Sequence, residues 1–161
     1  MSGSNANYSG AAFEIQIEND LLGSIPDLGV VDYKDIKGNF KIDEVRRYFI
    51  GQNLLIRNMK RTRLNQTRKV ATLEYYYCKH DTFIECKYQT VTGTASQKIP
   101  YAMIDGILNS DDGAKTLFIL GGGKLTDGKD EPYYNFVCRD YVGVKYVYRH
   151  DESWVRRIGW I

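Results

Sequence analysis

The stretch of residues 82–89 constrains the fold of this chain most, because charged and apolar residues alternate along it. A period of two is typical of a β-strand with one face in a core and a polar opposite face. The polar residues are Glu85, Lys87 and Gln89, and the residues between them are Ile84, Cys86 and Tyr88. An isolated E-x-K pattern is most often a weak surface ion pair, so its sequence context decides what it means.

A second strand is predicted just before this one, at residues 71–77. The residues between the two strands, 78–81, are polar and suit a hairpin turn. If those four residues form the turn, Tyr77 faces Thr82, and every earlier residue is paired by counting back. A turn one residue longer or shorter would change every pair, so the register is a specific prediction.

Counting back from the turn places Glu74 directly opposite Glu85. Adjacent carboxylates repel each other unless a cation lies between them. Oxygen ligands without a histidine cluster suit Mg²⁺, and a lysine such as Lys87 can orient a water and stabilise charge on a phosphate. The pattern therefore indicates metal-assisted hydrolysis of a phosphodiester.

Composition predicts one folded domain. The chain has 161 residues, with 43% hydrophobic and 26% charged residues, which are values of a globular protein. Residues 1–7 read as a flexible start or tag remnant, so we expect a single domain at residues 8–161. No run approaches the ~18 apolar residues of a membrane span, and three cysteines without zinc spacing suggest reduced thiols and a cytoplasmic location.

The order of predicted elements is that of an α/β domain with a mixed central β-sheet flanked by helices. Residues 121–123 are glycines followed by Lys124, but the spacing of a P-loop is absent, so we expect no nucleotide cofactor. Helices are expected at residues 8–22, Ile42–Phe49, 96–109 and 133–139, and further strands at residues 53–57, 116–120 and 142–148.

The net charge of +2 does not by itself identify a nucleic-acid partner, but residues 57–69 carry no acidic side chain. Such a run is usually a solvated face, yet here amide and hydroxyl donors separate the cations, as in segments that contact DNA phosphates and bases. Lys98 points either to the phosphate backbone or to solvent. The DNA-contact candidates are Arg57, Lys60, Arg61, Arg63, Asn65, Gln66, Arg68, Lys69 and Lys98.

The run from Glu85 to Gln89, E-C-K-Y-Q, followed by the segment at residues 93–101, resembles the core of the PD-(D/E)XK nuclease superfamily. The similarity is to its restriction-endonuclease-like branch and implies that fold. It implies a metal ligand at Glu85, a catalytic Lys87 and a supporting amide at Gln89. The family's first helix often carries a glutamate that faces the metal, and the G-x-x-F-E pattern assigns this role to Glu14.

The second acidic residue of the site has two candidates. The superfamily normally has an aspartate ten to twenty residues before E-x-K, and this chain has none there. In the similar branch a glutamate before an aromatic residue often takes that place, which fits Glu74 and Tyr75. The rival is that the acid belongs at Ala71 and is missing, in which case the chain is an inactive variant.

The resemblance implies a Mg²⁺-dependent endodeoxyribonuclease that acts on double-stranded DNA, with Mn²⁺ able to substitute. It would be a type II restriction endonuclease or a related phage or mobile-element nuclease. Glu74, Glu85 and the backbone carbonyl of Cys86 would hold the metal, and a homodimer would match the two-fold symmetry of duplex DNA. The alternatives are a junction-resolving or repair nuclease on the same fold, and a catalytically inactive DNA-binding protein.

Overall fold

The computed structural model describes residues 2–62, 70–90, 99–100, 102–103, 113–140 and 143–161. Its helices are α1 (Ser2–Ser24), α2 (Tyr33–Ile36), α3 (Ile42–Phe49), α4 (Glu131–Asp140) and α5 (Trp154–Arg157). Its strands are β1 (Gly29–Asp32), β2 (Leu54–Thr62), β3 (Val70–Tyr77), β4 (Thr82–Tyr88), β5 (Lys115–Gly121) and β6 (Val144–Tyr148). None of the helices within these ranges is long and apolar enough to cross a bilayer.

The described strands form one mixed sheet in the order β1-β2-β3-β4-β5-β6. Strand β3 is antiparallel to both of its neighbours, whereas β1 with β2, β4 with β5, and β5 with β6 pair in parallel. Helices lie on both faces, so the predicted α/β class with a mixed sheet is confirmed.

The first face of the sheet packs against α1 and α5. Phe13, Ile17 and Leu21 recur at every fourth position of α1, so they form one apolar stripe along the helix. They are buried with Ile84 and Cys86 of β4 and with apolar residues of β5 and α5. This cluster fixes α1 across the strand that carries the E-x-K pattern.

The second face carries two separate apolar clusters. One joins α2 and α3 to β2, β3 and the start of β4, and Phe83 belongs to it. The other joins β5, β6 and α4, and contains Phe118, which pairs with Glu85. Because side chains alternate along a strand, Glu85 and Lys87 follow Phe83 on the face where these two clusters are divided.

Several predicted element bounds differ from the structure. The helix Ile42–Phe49 is confirmed, but α1 begins at Ser2 and so includes residues that we expected to lie outside the fold. Strand β1 was not predicted at all. Of the helix expected at residues 96–109, residues 99–100 and 102–103 are helical, and the others lie outside the described residues.

Candidate active site

The hairpin of β3 and β4 opens at the two candidate carboxylates. Tyr77 pairs with Thr82, as the sequence predicts, and the pairing runs on to Tyr75 with Ile84. Glu74 and Glu85 are the next residues in this register. Past that point β3 continues beside β2 and β4 continues beside β5, so the two strands separate. We call this opening, between residues 70–74 and 85–88, the fork.

One ammonium group lies between the two carboxylates of the fork. The Nζ atom of Lys87 is 2.9 Å from Oε2 of Glu85 and 3.8 Å from Oε1 of Glu74. The three side chains are 21%, 18% and 23% exposed, so they are largely withdrawn from water but still accessible. The structure therefore brings together the two acids and the lysine that the sequence singles out.

Burial raises the pKa of Glu74 to about 7, from an ordinary value of 4.5. The charge of Lys87 opposes that rise, while the charges of Glu85 and Glu14 add to it. For Lys87, burial alone would lower the pKa, but the two neighbouring carboxylates together raise it above its ordinary value. Lys87 is therefore an ammonium ion at neutral pH, whereas Glu74 is poised between its two forms.

Helix α1 brings a third carboxylate to the fork. The hydroxyl of Tyr75 donates to the backbone oxygen of Glu14 at 3.0 Å and to Oε2 of Glu18 at 3.1 Å, which anchors this part of the helix on β3. Burial raises the pKa of Glu14, and the charge of Lys87 opposes the rise. The Glu14 carboxyl therefore lies within the electrostatic reach of the same ammonium group.

A tight glycine turn holds the end of β4. The backbone N–H of Gln89 donates to the oxygen of Gly121, and its carbonyl accepts from the N–H of Lys124, both at 3.1 Å. Gly122 has a φ of +85°, and a Cβ there would lie 2.3 Å from the Gln89 oxygen, so this turn requires glycine. The turn fixes the position of Gln89, which is only 8% exposed.

The described part of the basic run holds its cations in three different ways. Arg57 is exposed but forms a two-pronged ion pair with Glu18 of α1, whereas Lys60 is exposed. Arg61, the third described candidate, is only 4% exposed, and its guanidinium lies 4.5 Å from the centre of the Phe83 ring. The other candidates lie outside the described residues: Arg63, Asn65, Gln66, Arg68, Lys69 and Lys98.

Ala71, the rival position for the second acid, lies further along β3. It pairs with Arg61 of β2 and packs against the apolar cluster that contains Phe83. At about 3.3 Å per residue, it is about 10 Å along the strand from Glu74. A carboxylate at position 71 would therefore lie opposite Arg61 and away from the ammonium group of Lys87.

Sequence reasoning missed the link between α1 and the sheet. Glu18 accepts hydrogen bonds from Arg57 and Tyr75, and these bonds lower its pKa together with the charge of Arg57. The available signal was that Glu14 and Glu18 lie one turn apart beside the apolar stripe. Their partners are distant in sequence, so the spacing could not identify them.

The oxygen donors at the fork suit a hard divalent cation. In the described ranges, no group of three or more His, Cys, Asp or Glu side chains is already arranged as a metal site. Glu74 and Glu85 nevertheless share one cation, the ammonium of Lys87, and a divalent ion can balance the same two charges. The residues present therefore fit Mg²⁺ or Mn²⁺.

Comparison with known proteins gives one match. The model of a PD-(D/E)XK nuclease superfamily domain matches residues 5–125, which is more than half of the chain. The match includes α1, the hairpin of β3 and β4, and the fork. No curated protein and no solved structure matches the chain.

Proposed function

Because this chain belongs to the PD-(D/E)XK nuclease superfamily, we propose that it is a Mg²⁺-dependent endodeoxyribonuclease that hydrolyses double-stranded DNA. In this proposal it acts as a type II restriction endonuclease or as a related phage or mobile-element nuclease. The observation that carries the proposal is the fork, where Lys87 lies between Glu74 and Glu85. Hydrolysis of a phosphodiester needs an attacking water and stabilisation of negative charge. The ammonium of Lys87 can orient the water and stabilise the charge.

The proposed metal ligands are Glu74, Glu85 and the backbone carbonyl of Cys86. A bound divalent cation would supply Lewis-acid stabilisation of negative charge on the scissile phosphate. The ammonium of Lys87 would orient the attacking water and stabilise the developing charge, because it stays protonated at neutral pH. The side-chain amide of Gln89, positioned by the glycine turn, would support the site residues. The charge of Glu14 on α1 would contribute to the electrostatic field at the fork.

The choice of Glu74 over Ala71 as the second acid is supported by the contacts of each. Glu74 is within 3.8 Å of the ammonium of Lys87, whereas Ala71 packs against an apolar cluster. In this proposal the chain is active as it stands. A homodimer would let one such domain cut both strands, since its two-fold axis would match that of the duplex.

The first experiment is cleavage of supercoiled and linear plasmid DNA with Mg²⁺ or Mn²⁺, comparing the unaltered chain with Lys87→Ala. We expect discrete fragments from the unaltered chain and at least a ~100-fold lower rate from Lys87→Ala, because electrostatic groups at a reaction centre have effects of this size. The matched control is Lys79→Ala, an exposed lysine in the hairpin turn, which should cleave normally.

An Ala71→Asp variant distinguishes the two candidates for the second acid. Activity that appears only with Ala71→Asp would show that Glu74 is the wrong ligand and that this chain is an inactive form. No cleavage by any of the proteins, on either plasmid form, would refute the proposal of a duplex-DNA nuclease. Equal loss in Lys87→Ala and Lys79→Ala would refute the assignment of Lys87.

A further inference from the structure

A cleft with a volume of about 240 Å³ lies between α3 and β2. Among the described residues that line it, four are basic and only Asp43 is acidic. The basic residues are Arg46, Arg47, Lys60 and Arg61. Two of them lie on α3 and two on β2, so the sequence alone does not show that they share one cleft. The lining is therefore rich in positive charge and suits an anion.

Two of the four cations are held in place by the fold. The guanidinium of Arg46 donates to both carboxylate oxygens of Asp81, at 2.7 and 2.6 Å. Arg61 is 96% buried, since its exposed fraction is 4%, and it lies over the ring of Phe83 at 4.5 Å. A cation kept in a low-dielectric setting acts on a nearby anion more strongly than a solvated one. Arg61 therefore gives the cleft a fixed positive potential.

The other two cations are free to reach a ligand, because Arg47 and Lys60 are both exposed. Arginine and lysine side chains at such a cleft are the usual donors to phosphate oxygens. The volume of about 240 Å³ is below the ~300 Å³ at which small-molecule sites begin, so a complete nucleotide does not fit well. A single phosphate group matches both the size and the charge of the cleft.

The cleft lies close to the fork. Phe83 lines it and stands two residues before Glu85 on the same face of β4, a separation of about 7 Å. Lys60 and Arg61 lie on β2 beside the part of β3 that forms one arm of the fork. The cleft and the fork therefore lie near each other on the same face of the sheet.

We propose that the cleft between α3 and β2 binds a backbone phosphate of the nucleic-acid substrate, close to the bond at the fork. Arg47 and Lys60 contact the phosphate oxygens, and Arg61 supplies positive potential from beneath. This inference rests on the proposed function for the identity of the ligand. The charge and the size of the ligand are inferred from the cleft itself. The cleft positions the strand and takes no part in the chemistry.

The test compares an Arg47→Gln/Lys60→Gln variant with a Lys79→Gln/Lys129→Gln variant. All four side chains are exposed, so both variants should fold, and both lose the same charge. Binding of a short DNA duplex is measured by fluorescence anisotropy in EDTA over a range of salt concentrations. We expect the cleft variant to bind at least ~10-fold more weakly and with a salt slope smaller by about one, while the control stays near the unaltered protein.

Inorganic phosphate is the second probe, read from the thermal unfolding midpoint of the same three proteins. Phosphate should raise the midpoint of the unaltered protein and of the control more than that of the cleft variant. General salt effects are common to all three proteins, so the difference reports binding at the cleft. Equal DNA affinities in the two variants would overturn the proposal, since only net charge would then matter.

The two probes also separate the cleft from the nuclease activity. A chain that binds DNA through the cleft and never cleaves it would refute the proposed function and leave the cleft assignment standing. Phosphate binding that depends on the cleft, without any DNA binding, would overturn its assignment to the substrate. The absence of both DNA and phosphate binding would overturn the cleft as an anion site.

Discussion

Glu74→Gln should make the metal-free protein more stable above neutral pH. Burial raises the pKa of Glu74 from 4.5 to about 7, so the folded protein holds this proton more tightly than the unfolded chain does. The stabilising contribution of the protonated group is complete below pH ~4.5 and is lost as the pH rises through about 7. A glutamine has nearly the same shape and never ionises, so the variant does not lose this stability as the pH rises.

The size of the effect follows from the pKa itself. A rise from 4.5 to about 7, at about 1.4 kcal/mol for each tenfold change in proton affinity, corresponds to about 3 kcal/mol in the free energy of unfolding. The difference in stability between Glu74→Gln and the unaltered protein should therefore grow by about 3 kcal/mol between pH 4.5 and pH 8. It should be nearly constant outside that window.

The assay is urea unfolding in EDTA at a series of pH values, with equal m-values required for the two proteins. Glu152→Gln, which removes an exposed carboxylate, is the matched control and should stay within ~0.5 kcal/mol of the unaltered protein. Adding Mg²⁺ at pH 8 should stabilise the unaltered protein more than Glu74→Gln, because only the former keeps both carboxylates. A stability difference that is flat with pH, or that shrinks as pH rises, would refute the reasoning.

Two further predictions concern the frame around the site. Asp20→Ala should lower the free energy of unfolding by about 3–5 kcal/mol in denaturant titrations, because it removes the acceptor of the Arg149 guanidinium and of the buried Trp154 indole N–H. Asp20→Asn, which keeps an acceptor, should lose clearly less, and equal losses would contradict this account. Gly122→Ala should lose about 2 kcal/mol or more, because its φ is +85° and its methyl would meet the backbone just after β4. Gly123→Ala, with nothing within 4 Å, is its control, and equal thermal midpoints would contradict the clash.

The local parts of the fold could be predicted from the sequence. The helix Ile42–Phe49 and the hairpin register follow from apolar periodicity and from a turn whose length is set by adjacent residues. Strand β1 could not be predicted, because its four residues do not alternate, and its pairing with β2 is a contact between distant segments. Short strands of this kind depend on the rest of the sheet for their stability.

The site was predictable only in its hairpin part. Glu74, Glu85 and Lys87 follow from the hairpin register and the alternation of one strand, both of which are local. Whether a basic residue faces solvent is decided by partners far away in the chain. Arg57 is paired with Glu18, 39 residues earlier, and Arg61 is covered by Phe83. No pattern of charges along the chain distinguishes a cation that is already paired or covered from one that is available to a ligand.

The charges of the fork and of the cleft differ in sign, and under the two proposals this difference would order the events of binding. At the fork, Glu74 and Glu85 lie beside the ammonium of Lys87 and Glu14 lies within its electrostatic reach, so full ionisation leaves an excess of two negative charges. Burial makes that excess unfavourable, which is why the pKa of Glu74 is raised, and it repels a phosphate. One divalent cation, if held by Glu74 and Glu85 as proposed, would supply the two missing charges.

The cleft carries the opposite excess and needs no metal to attract a phosphate. Under the two proposals, a DNA strand would be held at the α3–β2 cleft first, near a fork that still repels it. Glu74 and Glu85 would hold the divalent cation, whose charge would offset this repulsion, and Lys87 would then be accessible to the neighbouring phosphate. We therefore expect binding of DNA to be independent of the metal and its approach to Lys87 to depend on the metal.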